Sequence, residues 1–243
     1  GAGLRYYTAL GKNPRRSIFY VPPLEAVFNS LKLASGATIL ALLLGTLAAL
    51  ALHRRRQDLR ATAESTARAA AAWIWDALFM LPLGTSSVTL GLGYLLAMDK
   101  PPLDLRGSAA LIVFGHTLVA LPFVVRSVLP ALQSIRPALR EAAAVLGASP
   151  LEVFIKVDLP IIWRALAVGA VFAFTVSMGE FGATAMIARP DLPTIPIAIY
   201  RFLSRPGALN YGQALAMATI LMGVCVIGFV VMEYIRPPGE RLF

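Results

Sequence analysis

The chain of 243 residues is 58% hydrophobic and only 14% charged, with a mean hydropathy of +0.71. A soluble domain carries about 25% charged residues, so there is too little polar surface here for a secreted enzyme, a nucleic-acid-binding domain or a disordered chain. The formal net charge of +9, from 22 Lys+Arg against 13 Asp+Glu, fits an integral membrane protein whose loops hold cations at lipid headgroups.

In chain order, the residues up to about position 20 lack the apolar core and small-residue cleavage site of a signal peptide, and a further segment is expected to precede Gly1. Five segments then reach the roughly twenty apolar residues a helix needs to cross about 30 Å of hydrocarbon. The first runs from about Leu24 to Leu52 and is ended by His53-Arg54-Arg55-Arg56. The second lies between about Ala70 and Met98. It is interrupted at Leu81-Pro82-Leu83-Gly84, which should kink or break it. A polar turn, Asp99 to Arg106, leads to the third, about Ser108 to Leu132. The fourth covers about Ile161 to Ile187. In the proline-rich loop that follows, Arg189 to Ala208, the apolar stretch Ile195 to Leu203 is expected to lie along the membrane surface as a short helix. The fifth runs from about Leu209 to Ile235 and holds the lone cysteine, Cys225, which reads as a small core residue. These runs far exceed the about nine to eleven alternating residues of a barrel strand. The expected fold is all-α: a polytopic membrane helix bundle of about five transmembrane helices, one domain over residues 1–243.

Arg54, Arg55, Arg56, Arg60 and Arg68 place the loop after the first span on the cytoplasmic side. Alternation puts the loop around Arg136 to Lys156, and the tail with Arg236 and Arg241, on the same side. Arg5, Lys12, Arg15 and Arg16 fall outside, against the rule; a helix ahead of Gly1 would make that segment a loop between spans. Trp73 and Trp75 fit an interfacial aromatic belt, with Asp76 solvated or paired with Arg68. Lys32 is expected to snorkel out of the first span.

The loop from Arg136 to Pro160 is the most informative stretch. Pro137 suits a first helical position, the residues to Leu146 are strong helix formers, and Gly147 suits the left-handed residue past a helix end. Ser149 opens a second helix with Pro150 at its first position and Glu152 completing a capping box, and Pro160 should stop it. Leu139, Ala142, Ala143, Leu146, Leu151, Phe154 and Ile155 give this hairpin an apolar face. One reading is a capped link between spans; the other is a docking surface.

The pattern Glu141-Ala142-Ala143, three residues, Gly147, nine residues, Val157, one residue, Leu159-Pro160 resembles the EAA loop of permease subunits of bacterial ABC importers. Val157 stands where isoleucine is common. The span placement around the motif resembles the MetI-like permease fold over nearly the whole chain. The resemblance implies that residues 137–160 are the cytoplasmic coupling loop, with Glu141, Ala142, Ala143, Gly147, Leu159 and Pro160 carrying contact with an ATPase. It implies as partners cytoplasmic ABC ATPase subunits, a periplasmic or extracellular solute-binding protein, and a second permease half or an identical copy, all at the inner membrane in contact with lipid and without nucleic acid. No G-x-x-x-x-G-K-S/T phosphate loop occurs in the sequence, as expected of a transport subunit whose ATPase is separate. The stretches Met178 to Met186, Leu192 to Tyr200 and Pro206 to Ala216 resemble permeases for ferric iron and thiamine, and also molybdate and sulfate. In the iron and thiamine group two halves are often fused, and a start at Gly1 fits a second half.

Glu180 sits toward the outer end of the fourth span between Gly179 and Gly182. It either lines the translocation route or makes a structural hydrogen bond to a neighbouring helix. The break at Pro82 and Gly84 is either a packed kink or backbone flanking the pathway. His116 in the third span reads as a packed residue or a proton relay. No catalytic constellation, metal site or cofactor site is expected. Two rival readings stay open: an intramembrane enzyme using Glu180 or His116, and a gradient-driven transporter or channel.

Overall fold

The computed structural model describes residues 4–11, 22–61, 66–98, 105, 108–187 and 192–235, and among them every regular element is helical. A short α1 (Leu4–Leu10) precedes the long α2 (Pro23–Ala61). Then come α3 (Thr66–Gly84), α4 (Ser87–Ala97) and α5 (Ala109–Ser134). The hairpin holds α6 (Pro137–Val145) and α7 (Pro150–Val153). A π-turn (Phe154–Asp158) leads into α8 (Leu159–Met178), followed by α9 (Gly182–Ile187), α10 (Ile195–Leu203) and α11 (Ala208–Ile235).

Among the described residues four helical stretches are long and apolar enough to cross a membrane: Pro23–Gln57, Ala109–Ser134, Pro150–Met178 and Ala208–Val231. The pair Ala77–Gly84 and Ser87–Ala97 makes a fifth, broken one, bent by 106°. Pro82 and Gly84 both stay inside α3, and the chain turns just after them at Ser86, whose extended backbone (φ −64, ψ 129) starts α4.

The pairing of helices follows residue size. Along α2 most of the buried apolar positions are small, among them Ala26, Ala34, Ala37, Ala41, Gly45, Ala48 and Ala49, while Ile39, Leu43, Leu44 and Leu47 stand exposed on the other side. In lipid, burying a large apolar side chain gains little over leaving it among acyl chains, so small residues mark the helix contacts and large ones face outward. The small stripe of α2 lets α5 approach closely. Leu121, Val124, Val125, Val128, Leu129 and Leu132 of α5, with Ile162 and Ala173 of α8, complete the main core. α5 is the central helix, packed on α2, α8, α3 and α9.

The bundle has two distinct ends. At one, His53 of α2 meets Arg140 of α6, so the basic run and the hairpin lie together. At the other, Ser30 Oγ accepts from Ile195 N (2.8 Å) and Asn29 Nδ2 donates to the Pro193 carbonyl (3.2 Å). The segment Ile195–Leu203 is helical as expected. It buries Ile195, Pro196, Ile197, Ala198 and Phe202, with α11 and α2 as its neighbours.

Three expectations need correction. The run His53-Arg54-Arg55-Arg56 ends the apolar stretch but not the helix; α2 continues to Ala61 because Arg, Gln and Leu are good helix formers and no glycine or proline intervenes. Pro160 does not stop the second hairpin helix. The chain is helical without a break from Pro150 to Met178, and the π-turn at 154–158 loosens the spacing where the ring of Pro160 would meet a carbonyl one turn back. The fourth span does not reach Ile187; α8 ends at Met178, with Gly179 as its C-cap, and α9 is a separate short helix. The turn expected at Asp99–Arg106 lies, apart from Leu105, outside the described residues, as do Arg236, Arg241 and the side chains of Arg68, Trp73 and Asp76. Trp75 is described, and the Arg55 guanidinium lies over its ring at 5.3 Å from the centroid, which ties α2 to α3 beside the basic run.

Candidate functional site

The hairpin is built from local rules. Pro137 opens α6 at a position where no N–H is needed. At its end Gly147 has φ +84. Gly147 N donates to the Ala144 carbonyl (2.9 Å) and Ala148 N to the Ala143 carbonyl (3.0 Å). This is the paired-bond Schellman ending, which needs a left-handed residue where glycine stands. Ser149 then caps α7 in both directions: its Oγ accepts from Glu152 N (3.4 Å) and its N–H donates to Glu152 Oε2 (2.9 Å). Lys156, paired with Glu152 Oε1 at 2.9 Å, holds the carboxylate from the next turn.

No residue of α6 is buried. Val145 and Leu146, each 88% exposed, form the tip of the hairpin, with Leu139 and Leu151 also exposed. Glu141, Ala142 and Gly147 lie on this open side, and Ala143 is half-buried. Leu159 and Pro160 sit apart from them, in the first turn of α8. Phe154, expected on the same apolar face, is half-buried and lines a cavity behind the hairpin.

Three polar residues that the sequence left without a role meet behind α6. Arg140 Nε donates to Asp158 Oδ1 at 2.8 Å, and Arg140 Nη1 lies 2.8 Å from His53 Nε2. A guanidinium only donates, so His53 Nε2 accepts and the ring proton sits on Nδ1. Asp158 and His53 are both buried. Beside them a cavity of about 270 Å³ separates the hairpin from α2, with Leu50 and Gln57 on one wall and Ala144 and Ala148 on the other.

At the opposite end the start of α4, rather than Pro82 or the exposed Gly84, meets the Glu180 region. The space a Cβ would take at Gly182 is already occupied by Ser87 Oγ, so the turn after Pro82 and Gly84 rests against α9. Glu180 is buried, and its Oε1 accepts from Ala183 N at 2.8 Å, which caps α9. His116 is buried between Ser177 Oγ and Thr184 Oγ1, both at 2.7 Å. Thr184 Oγ1 donates to the Glu180 carbonyl at 3.2 Å, so it accepts from His116 Nε2 and leaves Nδ1 to accept from Ser177. Both ring nitrogens and one oxygen of Glu180 are thus engaged in holding α5, α8 and α9 together. Among the described residues no group of three or more His, Cys, Asp or Glu side chains gathers as metal ligands do. A sequence signal for this knot existed only in the polarity of His116, Ser177, Thr184 and Glu180 within apolar runs. The Arg140 contacts had none, since an arginine in a basic loop looks solvated.

A family model described as "Binding-protein-dependent transport system inner membrane component" matches residues 41–238. The permease protein PhnV of Salmonella typhimurium, named for 2-aminoethylphosphonate transport, is 30% identical over 211 residues, covering 87% of this chain and 74% of that protein. The molybdenum transport system permease protein ModB of Haemophilus influenzae is 34% identical over 132 residues, 53% of this chain and 57% of that one. Among solved structures, a chain of the methionine ABC transporter MetNI in inward-facing conformations superposes with a TM-score of 0.63 at 17% identity, covering 88% of this chain and 96% of that one.

Proposed function

We infer the role of the chain from its family: it belongs to the inner membrane components of binding-protein-dependent transport systems, the ABC importer permeases of MetI-like fold. It is a multi-pass inner-membrane transport subunit. On that premise, residues 137–160 are its coupling element, facing the cytoplasm and docked in a groove of a separate ATPase. The observation that carries this is the hairpin tip. Two large apolar side chains, Val145 and Leu146, are held outward by a Schellman ending and a capping box at the basic end of the bundle. Fixed apolar residues pointing away from lipid are unfavourable unless a partner covers them.

The other end, around Glu180, the α4 turn and α10, receives the solute-binding protein and gates the pathway, and a second permease unit, identical or a fused half, completes the pore. For the solute, the relatives named for 2-aminoethylphosphonate and molybdenum favour a small oxyanion; the residue pattern alone leaves ferric iron and thiamine as the alternative.

The test is co-purification with a separate Walker-type ATPase of the same transport system, followed by measurement of which solute-loaded binding protein stimulates hydrolysis. Gly147→Val forces a β-branched residue into a left-handed conformation that costs about 1–2 kcal/mol. The expected result is a five- to thirty-fold loss of ATPase association, with Glu141→Arg weakening the same contact. Wild-type association and uptake in both variants would overturn the assignment of the hairpin.

A further inference from the structure

We propose that Arg140 is a positioning residue that joins the coupling hairpin to α2 and α8 at once, so that motion of the docked hairpin is passed to both spans through one guanidinium. This deepens the reading of the hairpin given above and rests on it. The argument starts from how α6 is attached. None of its residues is buried, so apolar packing holds it weakly. At its ends the backbone bends, at extended Arg136 (φ −65, ψ 129) and at Gly147 with φ +84. A helix held by two backbone bends is free to rock.

Arg140 lies in the middle of α6 and reaches two different elements. Its Nε bonds Asp158, the last residue of the π-turn that leads without interruption into α8. Its Nη1 bonds His53 on α2, and Gln57 one turn further along α2 lies 2.9 Å from the same His53 nitrogen. The guanidinium is planar and rigid, with donors at fixed angles, and its bond to a carboxylate is charge-assisted and strong. Asp158 is buried and His53 likewise, so water competes poorly for either bond. The cavity of about 270 Å³ beside this joint, with Ala144 and Ala148 on its hairpin side, gives α6 room to swing about the Arg140 contacts. The π-turn contributes as well: its carbonyl spacing places Asp158 beneath Arg140 while α8 continues past Pro160.

The experiment uses the assembled transporter, with its ATPase and binding protein, in proteoliposomes. Arg140→Gln and Asp158→Asn are compared with the exchanged pair Arg140→Asp with Asp158→Arg. Three quantities are measured: ATPase association, hydrolysis rate, and solute taken up per ATP hydrolysed. Each single variant is expected to keep association within about two-fold and to lower uptake per ATP at least five-fold, and the exchanged pair to recover at least part of the loss. Uptake per ATP equal to wild type in both single variants overturns the proposal. So does a parallel loss of association and uptake without recovery in the exchanged pair, which marks the pair as holding the hairpin folded and nothing more. An ATPase that does not associate with the wild-type chain sinks the reading of the hairpin itself, a result distinct from either.

Discussion

Gly91→Val is expected to lower the stability of the bundle by about 3 kcal/mol, at the upper end of what an overpacked contact costs. Gly91 is buried on α4, where a Cβ would stand 2.8 Å from Ala183 Cα and 2.9 Å from the Ala183 carbonyl oxygen. Those are backbone atoms of α9, so no rotamer change relieves the clash and α4 must move off its partner. The control is two residues away. Gly93, on the same helix, has nothing within 4 Å of its Cβ position, and Gly93→Val should change stability by less than about 1 kcal/mol, since it removes only a flexible residue from a helix. Thermal denaturation of the detergent-solubilised protein reads both. Equal shifts for the two variants would show that the α4–α9 contact does not hold the broken span in place.

His116→Ala is expected to cost about the same, for a different reason. Hydrogen bonds between helices in a membrane are worth only about 0.6 kcal/mol on average, because unfolded helices in lipid find other partners. The two bonds to Ser177 and Thr184 therefore supply about 1 kcal/mol together. The larger part, about 2 kcal/mol, comes from the space left by a buried ring between three helices. His116→Gln, which fills most of that space and keeps a donor and an acceptor, should lose about 1 kcal/mol. It should transport solute at a rate close to wild type. A histidine that relayed protons would behave otherwise: the glutamine variant would be stable and inactive. Uptake and melting temperature measured on the same preparations separate the two.

How much of this was readable in the chain depends on the distance over which each signal acts. The turn at Gly147, the Ser149–Glu152 cap and the helix Ile195–Leu203 follow from residues within a few positions of each other, and the structure has them where the sequence put them. The five apolar segments were equally plain. Their partners were not, because in lipid every face of a helix is apolar. The choice of α5 for α2 rests on the stripe of Ala41, Gly45, Ala48 and Ala49, a size signal that hydropathy ignores. Helix ends were misjudged where composition and hydrogen bonding part ways. Arginines stop an apolar run without stopping a helix, and Pro160 is accommodated by a π-turn that no local pattern announced. Arg140, Asp158 and His53 were out of reach for another reason: their meeting needs α2 and the hairpin in place first.

α2 has one further consequence. It is helical over 39 residues with no proline after Pro23, whereas α3 and α5 carry prolines within the helix. Ser30 grips the start of α10, and His53 grips Arg140. About 35 Å of stiff rod lies between those two grips, at 1.5 Å per residue. A rod held at two such points has little slack between them to absorb a stroke delivered at one. The two ends of the bundle therefore share a single clock, and neither should be found shifted while the other stays at rest.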